Sequence, residues 1–499
     1  MNELVTGVVA PDKSQVPALR CAGCGAVVGG DSADPFRCPN ANSGDDCDHV
    51  LVPEPAPATA RFAIPGSQQP FNRYRELLWT YRLARARGMS DMDWTAMVER
   101  LDDAVALVDG HGLLPTTCAP RPMLAAILGL EPSALWAKDE TRNVSGSHKA
   151  RHLFGLALLL EVRERTGLAD PALRGTHELA IASCGNAALA AAVVARAAGR
   201  PLRVFIPPDA NPNVVDRLGT LGARITVCHR RPGEAGDPCV REFRAARAEG
   251  AVPFCVQGNE NGLTIEGGET LAFEMAESFA AADAAPDRLF VQTGGGALAS
   301  SCMAGLRVAV AHGRLPALPR LHVVQTTGAL PLRRAWERIA ARVLEGSEDR
   351  ARPLPSPPGT PAAGMGDSSS AEADRATATI LRDPIRAGAV RNAMEHARTH
   401  RSCYMWSWES PPHSIAHGIL DDETYDWAAL VQGTIDSGGW PLTVSEALLA
   451  EACSATRNTT GIMADPTGTA GLAGLMELLP ARVIPKHDRA VVVFSGVER

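Results

Sequence analysis

Aromatic side chains make up only 5% of the 499 residues. Such a chain has few flat rings on which bases could stack, so a single-stranded nucleic-acid platform is disfavoured. An excess of positive charge is also lacking: 49 Lys and Arg stand against 56 Asp and Glu, a net charge of −7. That balance argues against a nucleic-acid-binding surface as the main business. Long apolar runs are missing. Stretches such as Leu153–Leu160 fall far short of the roughly 20 residues that span a bilayer. Residues 1–20 carry charges and Pro but no continuous apolar segment of the kind a secretory leader needs. The expectation is a cytoplasmic protein with neither membrane nor nucleic acid as partner. Twelve cysteines in a chain of this size do not imply disulfides, and Cys255, Cys302 and Cys453 in their apolar surroundings read as core residues.

What is present is an ordinary globular composition, 45% apolar and 21% charged, in a chain long enough for two or three domains. Residues 1–52 form a unit whose second half is rich in Cys, Gly and Asp, with residues 1–20 expected to be poorly ordered. Residues 53–112 read as a Pro/Ala-rich linker followed by a helical arm, with helices over Asn72–Ala86 and Met92–Val108. Residues 113–499 alternate short apolar strands with helices. Leu202–Ile206, Ile225–Val227, Leu321–Gln325 and Ala490–Phe494 read as buried strands. That alternation predicts an α/β fold with mainly parallel sheets. Residues 345–375, rich in Pro, Gly, Ser and Asp without a period, read as a loose insertion.

Three local motifs carry chemistry. Asn143–Arg151 reads Asn-Val-Ser-Gly-Ser-His-Lys-Ala-Arg and sets Lys149 just before the apolar run His152–Val162. A lysine at a helix start lies near free N–H groups and the positive dipole end, which depresses an ammonium pKa. The resulting neutral amine can add to a cofactor aldehyde. Ala182–Ala188 reads Ala-Ser-Cys-Gly-Asn-Ala-Ala, a polar turn opening a helix. Gln292–Ser300 reads Gln-Thr-Gly-Gly-Gly-Ala-Leu-Ala-Ser between a strand and a helix. There, backbone N–H groups can converge on a phosphate.

In this order, Ser-Gly-Ser-His-Lys, Ser-Cys-Gly-Asn-Ala-Ala and Thr-Gly-Gly-Gly-Ala-Leu resemble the tryptophan-synthase-β-like superfamily of fold type II pyridoxal-phosphate enzymes. The nearest branch by resemblance is that of threonine synthase and the serine/threonine dehydratases. Glu266–Met275, the segment Gly461–Leu475 and the terminal Phe-Ser-Gly of Phe494–Gly496 agree with it. The resemblance implies two open, twisted, mainly parallel lobes with the cofactor between them, and a homodimer. It implies that Lys149 holds pyridoxal 5'-phosphate, removes the substrate α-proton and later displaces the product. Gly294, Gly295, Gly296, Ala297 and Leu298 would bind the phosphate through their backbone. Asn186 would bond the phenolic oxygen and Ser495 would face the pyridine nitrogen. Ser183, with the N–H groups of Gly185 and Ala187, would bind the substrate carboxylate.

Some features depart from that pattern. Leu113–Pro122 lacks the usual Gly-Asn-Thr-Pro-Leu motif, leaving Thr116 and Thr117 as the candidates there. A second substrate phosphate would need cations such as Arg121, Lys138, Arg142 or Arg151, for most of which surface solvation is the competing reading. His148 stands where the threonine branch has an aromatic residue, and packing under the cofactor is the favoured reading.

Cys21 and Cys24 form Cys-x-x-Cys before Gly25, and Cys38 with Cys47 could complete a tetrahedral zinc site. His49 could replace Cys47, because Asn40–Asp46 stretches the second pair. A flexible tail with free thiols is the alternative. The leading functional expectation is a pyridoxal-phosphate lyase or synthase. It would carry out β-elimination or β/γ-replacement on a hydroxy- or O-activated amino acid. A catalytically silent scaffold or zinc-ribbon adaptor is the reading from another class.

Overall fold

The computed structural model describes residues 16–42, 44–169, 177–231, 236–344, 368–409 and 412–498. Near the N-terminus, β1 (Ala18–Cys21), β2 (Val27–Gly29) and β3 (Leu51–Pro53) form an antiparallel sheet in the order β2-β1-β3. Residues 18–20, expected to be poorly ordered, belong to its central strand. Residues 1–15 lie outside the described residues, as do residues 345–367 of the expected insertion. The remainder of that insertion enters the helix Ser368–Leu381.

The helical arm follows. Trp79–Ala86 and Asp91–Asp109 are helices. The second begins where Ser90 and Asp93 exchange side-chain-to-backbone hydrogen bonds and ends at Gly110, whose φ of 93° only glycine adopts readily. Trp79 donates its indole N–H to the Ala18 carbonyl at 3.0 Å and so fastens the arm to the small sheet.

Two further sheets build the core. The first uses β4 (Cys118–Pro120) and β5 (Leu135–Asp139) from the start of the unit. The second consists of β6 (Leu179–Ala182), β7 (Leu202–Ile206), β8 (Arg224–Val227) and β9 (Val252–Pro253). The chain then returns to the first sheet with β10 (Arg288–Gln292), β11 (Arg320–Thr326), β12 (Leu442–Val444) and β13 (Ala490–Phe494). The six-stranded order is β12-β11-β10-β13-β5-β4 and the four-stranded order is β8-β7-β6-β9. Every pairing is parallel except that of β4, an edge strand whose Pro120 cannot donate to a central ladder. β5, β10 and β13 are buried along their whole length. That is why Ala490–Phe494 reads as a continuous apolar run and not as an alternating one.

Each sheet has its own apolar core. One surrounds the six strands and the helix Pro466–Leu478; the other joins the four strands to the arm and the N-terminal sheet. The helices Lys149–Arg165 and Thr264–Ala281 pack on each other between them. Gly267 is required there, since a Cβ on it would press into the backbone of Arg151. The expected two-lobed α/β architecture is therefore present. Among the described residues no helix is long and apolar enough to cross a membrane.

Candidate active site

Ligands of open parallel sheets bind beyond the carboxyl ends of the strands. All the expected site segments lie there. β5 leads to Lys149, β6 to Ser183–Asn186, β10 to Gly294–Leu298 and β13 to Ser495. The approach to Lys149 is a short 3-10 turn, Val144–Gly146, in which Ser145 holds a φ of 52°. Its N–H donates to Asp109 at 2.7 Å, anchoring the unusual backbone to the arm. Lys149 then opens its helix and remains half-buried. Burial pushes its amine below the usual lysine value, although the charges of Asp421 and Asp426 pull the other way.

Ser495 is buried, and its Oγ accepts the His148 N–H at 3.1 Å and pairs with the His148 Nδ1 at 2.5 Å. His148 Nε2 is buried and has no partner among the described residues. Burial, reinforced by Lys149 nearby, holds this imidazole well below its usual pKa, so it is neutral. The next residue, Gly496, has a φ of 101° and donates to Gly146 at 3.2 Å. A Cβ there would come 2.9 Å from Asn186 Nδ2. The end of β13, the turn before Lys149 and Asn186 from the other lobe thus meet at one point. Ser183, Gly185 and Asn186 are half-buried at the start of the helix Asn186–Ala197, and Ala187 is buried.

The glycine loop is anchored by Thr293, whose N–H donates to Val324 at 2.8 Å. It turns at Gly296, φ 107°, into the helix Ala297–Ala311. One part of this site has no counterpart in the motifs. The segment Gly418–Trp427 folds across the loop. The Gly295 N–H is directed at the Asp421 carboxylate, and Gly295 accepts from the Asp426 N–H at 3.0 Å. A Cβ on Gly294 would collide with Asp421, and one on Gly295 would sit 2.6 Å from the Tyr425 ring. Burial raises Asp421 to about 6 and, with the charge of Asp48, Asp426 to about 8. The Asp421 carboxyl thus closes over the loop at Gly295. Only the acidic run Asp421–Glu423 beside Gly418 could have signalled this segment in the sequence.

These residues fit pyridoxal phosphate. Lys149 supplies a weakly basic amine, the glycine loop supplies N–H donors, and Ser495 and Asn186 lie together. Ser300 Oγ and Asp426 Oδ2 are buried without partners among the described residues.

Two other expectations meet different surroundings. Lys138 and Arg151, considered as cations for a second phosphate or as solvated surface, are completely buried. Arg151 bonds Glu140 at 2.9 Å and Glu274 at 2.8 Å, and Lys138 pairs with Glu274. Thr116 is held in the same network, its hydroxyl donating to Glu140. Arg142 is exposed and Arg121 half-buried.

At the N-terminus, Cys21, Cys24, Cys38 and His49 place their ligand atoms within 4.8 Å of one another. Cys24 Sγ and Cys38 Sγ are 3.6 Å apart and Cys21 Sγ is 3.4 Å from His49 Nδ1. Four thiolate or imidazole bonds of about 2–2.3 Å around tetrahedral zinc give similar edges. His49 Nε2 bonds Asp45 at 2.8 Å, which leaves Nδ1 for a metal. Cys47, expected as fourth ligand, is not in this set; it groups with Asp45 and His49. The stretch Asn40–Asp46 brings the chain back so that the imidazole two residues further on reaches Cys21. Burial and the charges of Cys21 and Asp45 push the Cys47 thiol up to about 12.

The L-serine dehydratase of Saccharomyces cerevisiae (strain AWRI1631) is 27% identical over 235 residues, 46% of this chain and 66% of the relative. The chain thus spans just under two thirds of the length of that relative. The L-serine dehydratase/L-threonine deaminase of Mus musculus is 24% identical over 251 residues, 45% of this chain and 71% of the relative. Among solved structures, a threonine deaminase from T.th. superposes with a TM-score of 0.51 at 19% identity, covering 80% of this chain and 98% of its own. Diaminopropionate ammonia lyase from Escherichia coli gives 0.52 at 16% identity, covering 81% and 89%. The sequence model of the pyridoxal-phosphate dependent enzymes matches residues 111–383, more than half of the chain, and the chain belongs to that family.

Proposed function

We propose that this chain is a pyridoxal-phosphate lyase that eliminates the β-hydroxyl of a small hydroxy amino acid. Serine would give pyruvate and ammonia, and threonine 2-oxobutanoate and ammonia. The observation that carries this reading is Lys149: a half-buried, weakly basic amine where the carboxyl ends of both sheets meet. The relatives named as serine dehydratases support the same reaction class. When bound, the cofactor supplies the electron withdrawal that acidifies the substrate α-carbon.

The chain's own groups supply the rest. Lys149 Nζ takes the α-proton. Ser183 Oγ and the N–H groups of Gly185 and Ala187 hold the substrate carboxylate at a helix start. Gly294–Leu298 offer N–H donors to the cofactor phosphate. Ser495, a neutral hydroxyl, would face the ring nitrogen without forcing a proton onto it, which favours elimination over transamination. Asn186 would bond the phenolic oxygen. A γ-replacement on a doubly phosphorylated site is less well served, because Lys138 and Arg151 are already neutralised by Glu140 and Glu274.

We infer also that Cys21, Cys24, Cys38 and His49 hold one structural zinc ion, and that the protein is a homodimer. An absorbance spectrum before and after borohydride, with peptide mapping, tests the cofactor. A visible band removed by borohydride, with the label on Lys149, is expected, together with ammonia release from serine or threonine. No band after adding pyridoxal phosphate would defeat the reading.

A further inference from the structure

The turn that carries the fourth metal ligand also grips the wall of the active site. Asp46 accepts the Ser402 N–H and hydroxyl, both at 2.8 Å, and its carbonyl accepts the Arg401 N–H at 2.8 Å. Asp48 is buried, donates its N–H to the Arg398 carbonyl at 2.7 Å and pairs with Arg401 at 3.3 Å. Arg401 in turn pairs with Glu423, inside the segment that folds across the glycine loop. The same turn is internally fixed by Asp45, which accepts the Cys47 N–H at 2.8 Å and holds His49. Within Asp45–His49 the metal-set His49 and its partner Asp45 flank the two docking aspartates, Asp46 and Asp48. From this turn Asp48 reaches Arg401, Arg401 reaches Glu423, and two residues before Glu423 the same segment sets Asp421 against the Gly295 N–H.

We propose that the metal held by Cys21, Cys24, Cys38 and His49 is a clamp for the active site. By fixing the turn Asp45–His49 it holds Arg401, and Arg401 holds the Gly418–Trp427 cover over the cofactor loop. This rests on the zinc reading above, and it adds a coupling that a merely stabilising ribbon would not have. The N-terminal strands alone do not supply the clamp. The turn lies in the long excursion between β2 and β3, where among the described residues it is held by the metal set and by Arg398, Arg401 and Ser402. Arg401 is a positioning residue, since it touches neither cofactor loop nor Lys149.

The test uses the full-length protein and three readouts: zinc per chain, hydrogen exchange of residues 398–427 without cofactor, and pyridoxal phosphate affinity by titration. Cys24→Ser should lose zinc, raise exchange in residues 398–427 and weaken cofactor binding about tenfold. Arg401→Met should keep one zinc per chain yet show the same faster exchange and weaker binding. Zinc lost with exchange and affinity unchanged would overturn the clamp and leave the metal site standing. Parent protein that holds no zinc after exposure to it would overturn both. Arg401→Met behaving as the parent would overturn the relay even if Cys24→Ser failed to fold. If the parent bound no pyridoxal phosphate, exchange alone would decide the clamp, and the cofactor reading would fail separately.

Discussion

Lys149 and Arg151 stand two residues apart at the start of one helix, in opposite electrostatic company. Arg151 is completely buried against two carboxylates, Glu140 and Glu274, and bonds Thr270 at 3.0 Å. Burial alone would lower its pKa, but those anions raise it instead. Lys149 Nζ has no hydrogen bond or ion pair among the described residues; Asp421 and Asp426 act on it only through space, and burial wins. Placement on one helix therefore decides nothing about reactivity. What separates the paired cation Arg151 from the weakly basic amine Lys149 is whether matching anions are delivered to it.

Removing each partner breaks the comparison from a different side. The largest effect on activity should come from Lys149→Ala. Loss of a positioned proton acceptor lowers turnover by about 100- to 10,000-fold, and the borohydride-sensitive band should vanish while the melting temperature barely moves. Persistence of the band would assign the amine elsewhere. Glu274→Gln should do the reverse. It leaves Lys138 and Arg151 short of an anion, and breaking a buried pair costs about 3–5 kcal/mol. Urea unfolding should show that loss, while the folded fraction still carries its label on Lys149. Ser495→Ala should fall below both. It leaves the buried His148 N–H without its acceptor, a penalty of about 1–3 kcal/mol. Unchanged urea midpoints would mean that the His148–Ser495 contact is not maintained in solution.

The half of this comparison that involves Lys149 was legible in the sequence, because its determinants are local. A Ser/Gly turn, one lysine and an apolar run lie within about ten residues, and so do the Ser183–Ala187 turn and the glycine loop. The strands Leu202–Ile206 and Ala490–Phe494 were equally legible, since burial on both faces leaves a short apolar run with sharp ends. The half that involves Arg151 was not. Nothing near it announces that Glu274, 123 positions away, will meet it, and an Arg among polar neighbours reads as solvated. The cover Gly418–Trp427 was missed for the same reason. Its acidic run resembles an exposed turn until the tertiary fold lays it across Gly295. The choice of His49 over Cys47 turned on the path of Asn40–Asp46, which residue spacing alone leaves open.

The subtlest difference is one of slope. Asp421 and Asp426 are raised to about 6 and about 8, mainly by burial, from an ordinary aspartate value of about 3.9. A carboxyl whose folded pKa is raised favours its neutral form in the folded state. Its contribution to stability is full below the unfolded value and is lost as pH rises through the folded one. The cofactor-free protein should therefore lose stability between about pH 4 and pH 8, with Asp421 giving way first and Asp426 after it. Asp426→Asn is neutral throughout, so its urea midpoint should fall less steeply than the parent's over the upper part of that window. Glu140, held at about 2 beside Arg151, should add no slope in that upper part, because the ordinary carboxylate value of about 4.3 that it takes in the unfolded chain also lies below it. Parallel curves for Asp426→Asn and the parent would show that Asp426 is already ionised beside Lys149. The lysine would then be a paired cation like Arg151, and the contrast between the two would disappear.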